Sequence, residues 1–318
     1  MSSVRRLYGK AKDTPGLLTV VALIVLVIIF SNLSEFFFSI DNMLAIFLTA
    51  STVSYIVIGQ FMVLTSGHFD MSVGNVAAMG GIILTMSVRA GVSVPFAILL
   101  ALTFGLFSGF IAGVAIAKFN CNAFVTTFAL MQIYRGILFV LTGGMTITVP
   151  QSDAFRFLGT YRIFGAIQMP IAIMVVLFII FIFLLKFTRL GRAIYCVGNN
   201  PDAANVSGIN VARTKTIAYM MTGFFAALTG IVFASRINSG QPALGATYAL
   251  DTIAACVIGG TSMAGGKGNL WGAFVGIIIV YVIQNGLIMS GLDASYHYIF
   301  TGLIMFFAVL AQTEKMKK

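Results

Sequence analysis

The chain has 318 residues, of which 59% are hydrophobic and 9% are charged. Its mean hydropathy of +1.02 excludes a soluble domain of this length and indicates a membrane protein. The formal net charge is +10. This charge does not indicate nucleic-acid binding, because no basic cluster is interleaved with aromatic residues in a soluble segment.

Long apolar segments recur along the chain, and several approach the roughly 20 residues needed to cross a bilayer. We predict an all-α membrane protein with about ten transmembrane helices, built as a single domain over residues 1–318. The predicted spans are 16–32, 43–65, 75–89, 94–117, 122–141, 169–185, 216–235, 247–262, 270–289 and 295–311. The spans that start at Asn75 and Thr247 are short and rich in small residues, which is typical of broken or tilted helices.

The basic residues give an independent test of this topology. If both termini are cytoplasmic, the outer side holds only Arg89, Arg156, Arg162 and Arg236. Arg135 lies within a span, and the remaining Lys and Arg residues lie inside. The positive-inside rule predicts this asymmetry for the correct orientation. We therefore predict ten spans with both termini in the cytoplasm.

Residues 186–215 form a polar segment between two apolar spans. Within it, Asn200-Pro201-Asp202 has the form of a helix start, with an N-cap, a proline at the first helical position and an acid in the first turn. Gly208 supplies a stop. A helix of roughly two turns is not stable alone, so we expect it to dock onto a partner. The alternative is a solvated loop between two membrane helices.

No sequence pattern indicates a catalytic or metal site. His68 and His297 lie on opposite faces in the predicted topology, so they cannot share a metal or a haem. The glycine-rich run 259–268 fails the G-x-x-x-x-G-K-[ST] spacing, because Gly268 stands where Ser or Thr should be. A tight cytoplasmic turn is the better interpretation. We therefore expect a protein that is not an enzyme and that holds no metal or cofactor of its own.

Polar residues in or beside the spans are candidates for lining a translocation path: Gln60, Asp70, Gln132, Arg135, Asp251 and Asn285. A structural role remains open for each. Arg135 could extend outward to the bilayer surface. Either aspartate could cap the helix that follows it, a half-helix in the case of Asp251. The amides could bond to neighbouring helices.

The scarcity of charged residues in the membrane segments bears on how transport is driven. An ion-coupled carrier normally needs more buried charge than this chain offers, and a channel needs a ring of charges or a carbonyl filter. Neither class explains a preformed surface helix near Asn200. A transporter driven by a separate cytoplasmic motor does, because the motor needs a rigid element through which to push on the membrane helices.

The run from Leu190 to Ile209 closely resembles the cytoplasmic signature of monosaccharide ABC importer permeases, the ribose, galactose and xylose group. Three further segments are similar to the same family in the same order: residues 64–74, 241–245 and 250–268. The resemblance covers residues 42–310. The departures from the family pattern, which leave the substrate open, are His68, Met71 and Ala249.

The resemblance implies a permease of the bacterial cytoplasmic (inner) membrane that works as a pair. Two permease chains, identical or related, would enclose one path for a neutral sugar. Two cytoplasmic ATP-binding cassette subunits would dock on the loops and hold ATP and Mg²⁺. An extracytoplasmic sugar-binding protein would deliver the ligand.

The resemblance also assigns a coupling role, in the groove of the ATPase, to Gly198, Asn200, Ala203, Ala204, Ser207 and Gly208. Ala203 and Ala204 are small enough for close contact, and Arg192 could pair with an acid on the motor. Two alternatives remain. One is a permease of the same class for a nucleoside, a furanone-like signal or a branched-chain amino acid. The other is a secondary carrier or channel that acts alone.

Overall fold

A computed structural model describes residues 17–293, 295–303 and 306 of the chain. In chain order the elements are α1 (Leu17–Leu33), α2 (Ile40–Thr65), α3 (Val73–Arg89), α4 (Val94–Ala117), α5 (Ala123–Thr142), β1 (Ile147–Thr148), α6 (Asp153–Thr160), β2 (Arg162–Ile163), β3 (Ile167–Gln168), α7 (Met169–Phe187), α8 (Arg189–Asn199), α9 (Pro201–Val206), α10 (Val211–Ile237), β4 (Ser239–Gly240), α11 (Tyr248–Ile258) and α12 (Leu270–Met289). Residues 296–303 are also helical.

Within the described residues, six helices are long and apolar enough to cross a membrane: α2, α4, α5, α7, α10 and α12. Three more apolar helices, α1, α3 and α11, are shorter. The prediction of an all-α membrane protein is confirmed. The ten-span count stays a prediction, because most of the segment 304–311 of the last predicted span and both terminal tails lie outside the described residues.

The segment predicted as a span at 247–262 is a half-length helix. α11 has 11 residues, or about 16 Å of helix against a hydrocarbon core of about 30 Å. The residues before it, 241–247, are not helical and run along α3. A Cβ atom on Gly245 would overlap Gly74, and one on Gly240 would meet Ile82 and Thr85. Irregular backbone therefore lies inside the bundle, packed against a helix.

The loops predicted to be cytoplasmic lie together at one end of the bundle. The Gly266 N–H donates to the Thr65 carbonyl over 2.8 Å, and the Tyr219 hydroxyl donates to the Phe69 carbonyl over 3.2 Å. At the opposite end β1 pairs with β4, and the Gly159 N–H donates to Ser235 Oγ over 2.8 Å. The loops 66–72 and 259–268 thus lie at one end of the bundle, and β1, β4 and α6 lie at the other.

Close helix contacts depend on small residues. α10 lies at the centre and packs against α2, α3 and α4, where a Cβ atom on Gly59, Gly223 or Gly230 would overlap Thr222, Gly105 or Ala77 respectively. Small residues at such contacts are typical of membrane helices, since lipid tails provide no hydrophobic force and packing must hold the helices together. In the same way α11 contacts α12, with Gly259 against Gly272 and Ala255 against Gly276.

We predict that Gly230→Val lowers the unfolding temperature of the purified chain markedly or prevents its accumulation, because overpacking a core typically costs about 1–3 kcal/mol. Gly136→Val is the matched control, since nothing lies within 4 Å of a Cβ atom at this helical glycine. With Cys121 and Cys196 changed to Ser, the buried Cys256 reports unfolding through a thiol-reactive dye. Equal unfolding temperatures for the two variants would contradict the packing role.

Candidate translocation path and coupling segment

The predicted start and stop of the short surface helix are confirmed. Asn200 is the N-cap of α9, and its Oδ1 accepts the Ala203 N–H over 3.0 Å. Pro201 is the first helical residue and Asp202 lies in the first turn. Gly208 follows with φ +82°, a left-handed conformation that glycine adopts without steric cost.

A second helix, α8, precedes α9 and was not predicted. Thr188 caps it by accepting the Gly191 N–H at Oγ1 over 3.2 Å. Its buried residues are Gly191, Ile194 and Val197, and Leu190 is partly buried on the same face. The apolar spacing and the Thr cap were the available signals. Asn200 is both the C-cap of α8 and the N-cap of α9, so the two helices form one continuous unit, which we call the α8–α9 hairpin.

The residues assigned to coupling have different surroundings. Arg192, Asn200, Ala203, Ser207 and Gly208 are exposed, whereas Gly198 is partly buried. Ala204 is 4% exposed and packs against its own chain, so only the first alanine of the pair faces outward. The Arg192 guanidinium donates to the Phe187 carbonyl over 3.2 Å.

The hairpin contacts the membrane helices through a cluster of residues that we call the glycine junction: Thr65, Gly67, Gly198, Gly265 and Gly266. A Cβ atom on Gly198 would overlap the Thr65 carbonyl, and one on Gly265 would lie 2.8 Å from Gly67 Cα. Three of these glycines, Gly67, Gly265 and Gly266, have φ between +70° and +90°. Backbone touches backbone here, so a displacement of the hairpin reaches the end of α2 and the 259–268 turn without a flexible side chain between them.

Two of the six path candidates come together in a cleft of about 190 Å³. Gln132 and Arg135 of α5 line it together with Phe139, Asn75 of α3 and the irregular segment 242–246. Arg135 Cζ lies 6.0 Å from the centre of the Phe139 ring. Asn75, whose amide donates to the Met131 carbonyl, and the irregular segment were missed as path residues.

The cleft lies where two helices begin inside the bundle. Val73 and Val76 of α3 pack against Ile56, about two turns before the end of α2. The segment that leads into α11 meets the same place, at Gly74 and Gly245. Irregular backbone at membrane depth is tolerated where it is covered by protein or lines a polar path. Transporter binding sites are commonly built from such interrupted helices.

Asp70 anchors the turn before α3. Its Oδ1 accepts hydrogen bonds from the Ser72 N–H over 2.8 Å and the Ser72 hydroxyl over 2.6 Å. The N-cap of α3 is Ser72, so the alternative that Asp70 caps this helix is wrong. Burial raises the pKa of the Asp70 carboxyl, and the two hydrogen bonds from Ser72 oppose that shift.

Asp251 does not cap α11, because the N-cap is Thr247 and Asp251 lies one turn further on. Its carboxylate is buried 3.1 Å from His297 Nε2, in the helical segment 296–303. Thr301 Oγ1 lies 3.4 Å from the same nitrogen. No sequence pattern indicated this pair, since its members are 46 positions apart.

The remaining two candidates lie elsewhere. Asn285 exchanges two amide hydrogen bonds with Asn42, over 3.0 and 2.9 Å, and so joins α12 to α2, as the helix-partner alternative predicted. Gln60 is fully buried in α2, and neither of its amide atoms has a hydrogen-bond partner among the described residues.

We predict a pH dependence that arises from His68, in the loop between α2 and α3. Burial, and then the nearby Lys215 ammonium, lower the pKa of His68 below 6.5. The folded chain therefore binds this proton less readily than the unfolded chain. Stability is full above about pH 6.5 and is lost as the pH falls toward the folded pKa.

The unfolding temperature followed by circular dichroism should fall between about pH 7.5 and 5.5, and the fall should be smaller in His68→Asn. The comparison of the two proteins cancels the opposite contribution of Asp70, whose pKa is raised. Parallel curves for wild type and variant would show that His68 titrates normally.

A bundle of membrane-length helices with interrupted helices at a polar cleft is typical of membrane transport proteins. The chain belongs to the family described as branched-chain amino acid transport system / permease component, which matches residues 42–309. The chain is thus a transport component and not an enzyme, and it is a multi-pass protein of the bacterial inner membrane.

Among similar proteins, the ribose import permease protein RbsC of Haemophilus influenzae is 38% identical over 294 residues, which are 92% of this chain and 91% of that protein. RbsC of Escherichia coli is 36% identical over 300 residues, 93% of each chain. The L-arabinose transport system permease protein AraH of Escherichia coli is 33% identical over 312 residues, 98% of this chain and 93% of AraH. No solved structure matches the chain significantly.

Proposed function

We propose that this chain is the permease subunit of an ATP-driven importer for a neutral monosaccharide. Full-length similarity to permeases named for ribose and L-arabinose supports the sugar assignment. The observation that carries the ATP-driven class is the attachment of the α8–α9 hairpin, whose backbone contacts both α2 and the 259–268 turn at the glycine junction.

In this proposal the chain forms one permease domain, 1–318, with ten spans, both termini cytoplasmic and a coupling loop at about 186–215. The clustering of the loops 66–72, 186–215 and 259–268 at one end of the bundle supports this orientation. Two ATP-binding cassette subunits dock on that end, and a sugar-binding protein delivers ligand at the other. ATP and Mg²⁺ belong to the partner subunits.

We infer the order of movements from the contacts of the glycine junction. ATP binding draws the motor subunits together and displaces the α8–α9 hairpin. The 259–268 turn follows the hairpin, and α11 moves with the turn because it ends at Ile258. α11 in turn carries the irregular segment 242–246, which lines the cleft. Movement at the membrane surface thus reaches the polar cleft through a short chain of rigid contacts.

A second permease chain, identical or related, completes the path in this proposal. In the most apolar 18-residue stretch of α5, only 17% of the residues are buried within the chain, whereas the corresponding share in α2 is 83%. Gln132 and Arg135 lie on the exposed face of α5. A polar face at membrane depth is costly toward lipid, so a second chain is its most favourable cover.

One observation favours a second candidate ligand. Arg135 is the charged residue of the cleft, and a guanidinium is well suited to bind a carboxylate. This would fit the branched-chain amino acid named in the family description. Against it, Arg135 lies over the Phe139 ring, while the Asn75 and Gln132 amides offer the hydrogen-bonding groups that a polyhydroxylated neutral ligand needs.

The two ligands are separated by an uptake experiment in the host strain from which this chain has been deleted. We expect loss of labelled ribose or arabinose uptake at micromolar concentration, and recovery when the chain is restored. Labelled leucine uptake should stay unchanged. Loss of leucine uptake with normal pentose uptake would favour the amino-acid ligand, and no change for either class would contradict the sugar proposal.

We predict that Ala203→Arg abolishes uptake, because a long cation on the exposed face of α9 prevents close contact with the motor. The unfolding temperature should change little, since the alanine is exposed. Ala90→Arg is the matched control. Ala90 is also exposed, and it is the C-cap of α3, at the end of that helix away from the loop 66–72.

Uptake by Ala90→Arg should match that of wild type at equal expression. The ATPase subunit should be pulled down by the wild-type chain and by Ala90→Arg, but not by Ala203→Arg. Normal uptake by Ala203→Arg would refute the coupling role of α9, and it would leave the sugar assignment untouched.

A further inference from the structure

A second groove lies at the end of the bundle that carries the hairpin. It has a volume of about 450 Å³ and lies between the last turns of α7, the helix α8 and the first residue of α12. Its walls are apolar on the membrane side, where Ile182, Leu185 and Leu270 line it, and basic at the mouth, where Lys186 and Arg192 lie. The Tyr195 hydroxyl closes the inner wall by donating to the Gly268 carbonyl over 3.1 Å.

Among the residues that the structure describes, no acidic side chain neutralises the charges of this groove. Lys186 and Arg192 are exposed, and neither forms an ion pair within the described residues. Asp202 is the only acidic residue between positions 186 and 250. It lines a different cleft, together with residues 208–212 and Lys215. The groove therefore presents two cations to an anion from outside the chain.

The flanks of the groove carry the side chains of a membrane interface. Phe183 and Phe187 are 60% and 61% exposed and stack with ring centres 5.7 Å apart, and Lys186 Nζ lies 5.4 Å above the Phe187 ring. On the other flank Trp271 is 49% exposed and stacks on Phe274. Exposed Trp and Phe beside Lys at a helix end are typical of the headgroup level.

An apolar wall lies below two cations that have no ion-pair partner in the described part of the chain, at headgroup level and between membrane helices. This combination matches one chemistry. We propose that this groove binds one anionic phospholipid from the leaflet beside the α8–α9 hairpin. The phosphate contacts Lys186 and Arg192, and an acyl chain lies along Ile182, Leu185 and Leu270. Basic pockets between transmembrane helices recognise anionic headgroups in this way.

The lipid joins the coupling hairpin to the bilayer. α8 bears Arg192, whereas Lys186 belongs to the membrane helix α7, so a phosphate between them links the two elements. The inference goes beyond the transport function and concerns a site distinct from the cleft at Arg135. It stands or falls separately from the identity of the transported ligand.

A native cysteine provides the test, since Cys196 lines the groove and is exposed. The full chain with Cys121→Ser is placed in nanodiscs of phosphatidylcholine alone or with about one fifth phosphatidylglycerol, and labelling of Cys196 by an uncharged maleimide is timed. Cys256 is buried and does not interfere. We expect phosphatidylglycerol to slow the labelling several-fold. In Lys186→Gln, the phosphatidylglycerol concentration needed for half-maximal protection should rise about fivefold. Adding Arg192→Gln should raise this concentration by a similar factor again.

The chain contains a matched control site. Lys118 lies beside Phe119, with Nζ 6.0 Å from the ring, near the exposed Cys121. Lys118→Gln should leave the protection of Cys196 unchanged. In a Cys196→Ser chain, phosphatidylglycerol should not slow the labelling of Cys121. Equal slowing at both cysteines would reflect general surface charge and would overturn the proposal.

Two further experiments test whether the anion comes from a source other than a phospholipid. Protection of Cys196 in phosphatidylcholine nanodiscs by inorganic phosphate would identify a soluble anion site and overturn the phospholipid assignment. Protection by the ATPase subunit, with none from phosphatidylglycerol, would assign the groove to the motor. Circular dichroism of each variant confirms the fold, and lipid retained by the purified chains, measured by mass spectrometry, gives a second readout of binding.

Discussion

Backbone-to-backbone contact at small residues is the constraint on which this structure depends. A membrane bundle has no hydrophobic force between its helices, so cohesion comes from close packing and from polar groups satisfied inside the protein. The central helix α10 meets this requirement at Gly223 and Gly230. The same type of contact holds the irregular segment against α3, at Gly74 and Gly245. The tight packing and the interrupted helices are thus two aspects of one arrangement, because only small residues let unwound backbone lie within the bundle.

The same constraint connects the membrane surface to the interior. The glycine junction allows no side chain between the α8–α9 hairpin and the end of α2, so the parts move together. If long side chains held the hairpin, a displacement of the hairpin could be taken up by changes in their rotamers. The contacts at Gly198 and Gly266 contain no side-chain torsions that could change in this way. The hairpin is therefore suited to transmit force to the cleft.

The sequence predicted what depends on local chemistry. Composition gave the membrane class, and Asn200, Pro201 and Gly208 gave the start and stop of α9. α8 was missed, although Thr188 and the apolar spacing after it were available signals. The half-length of α11 was only suspected, because a run of small apolar residues has the same appearance in a full span and in an interrupted one.

The candidate path was less predictable, because a polar residue in a span has several possible partners. Arg135 and Gln132 do meet in one cleft, but Asn285 pairs with Asn42 and Asp251 pairs with His297. Such pairs join residues far apart in the chain, and hydropathy carries no information about them. Asn75 was missed, because nothing in the sequence indicates that the first turn of α3 faces α5 and the irregular segment.

The half-length of α11 has a consequence for how the protein enters the membrane during synthesis. A helix of about 16 Å does not reach across the hydrocarbon core, so α11 cannot be released into lipid by itself. Its glycine contacts with α12 make a helical hairpin the smallest unit that can be inserted. Even that unit carries the buried Asp251 carboxylate, whose partner His297 is synthesised 46 residues later. The packing of α11 and the pairing of Asp251 are therefore complete only when the last described helix has been made.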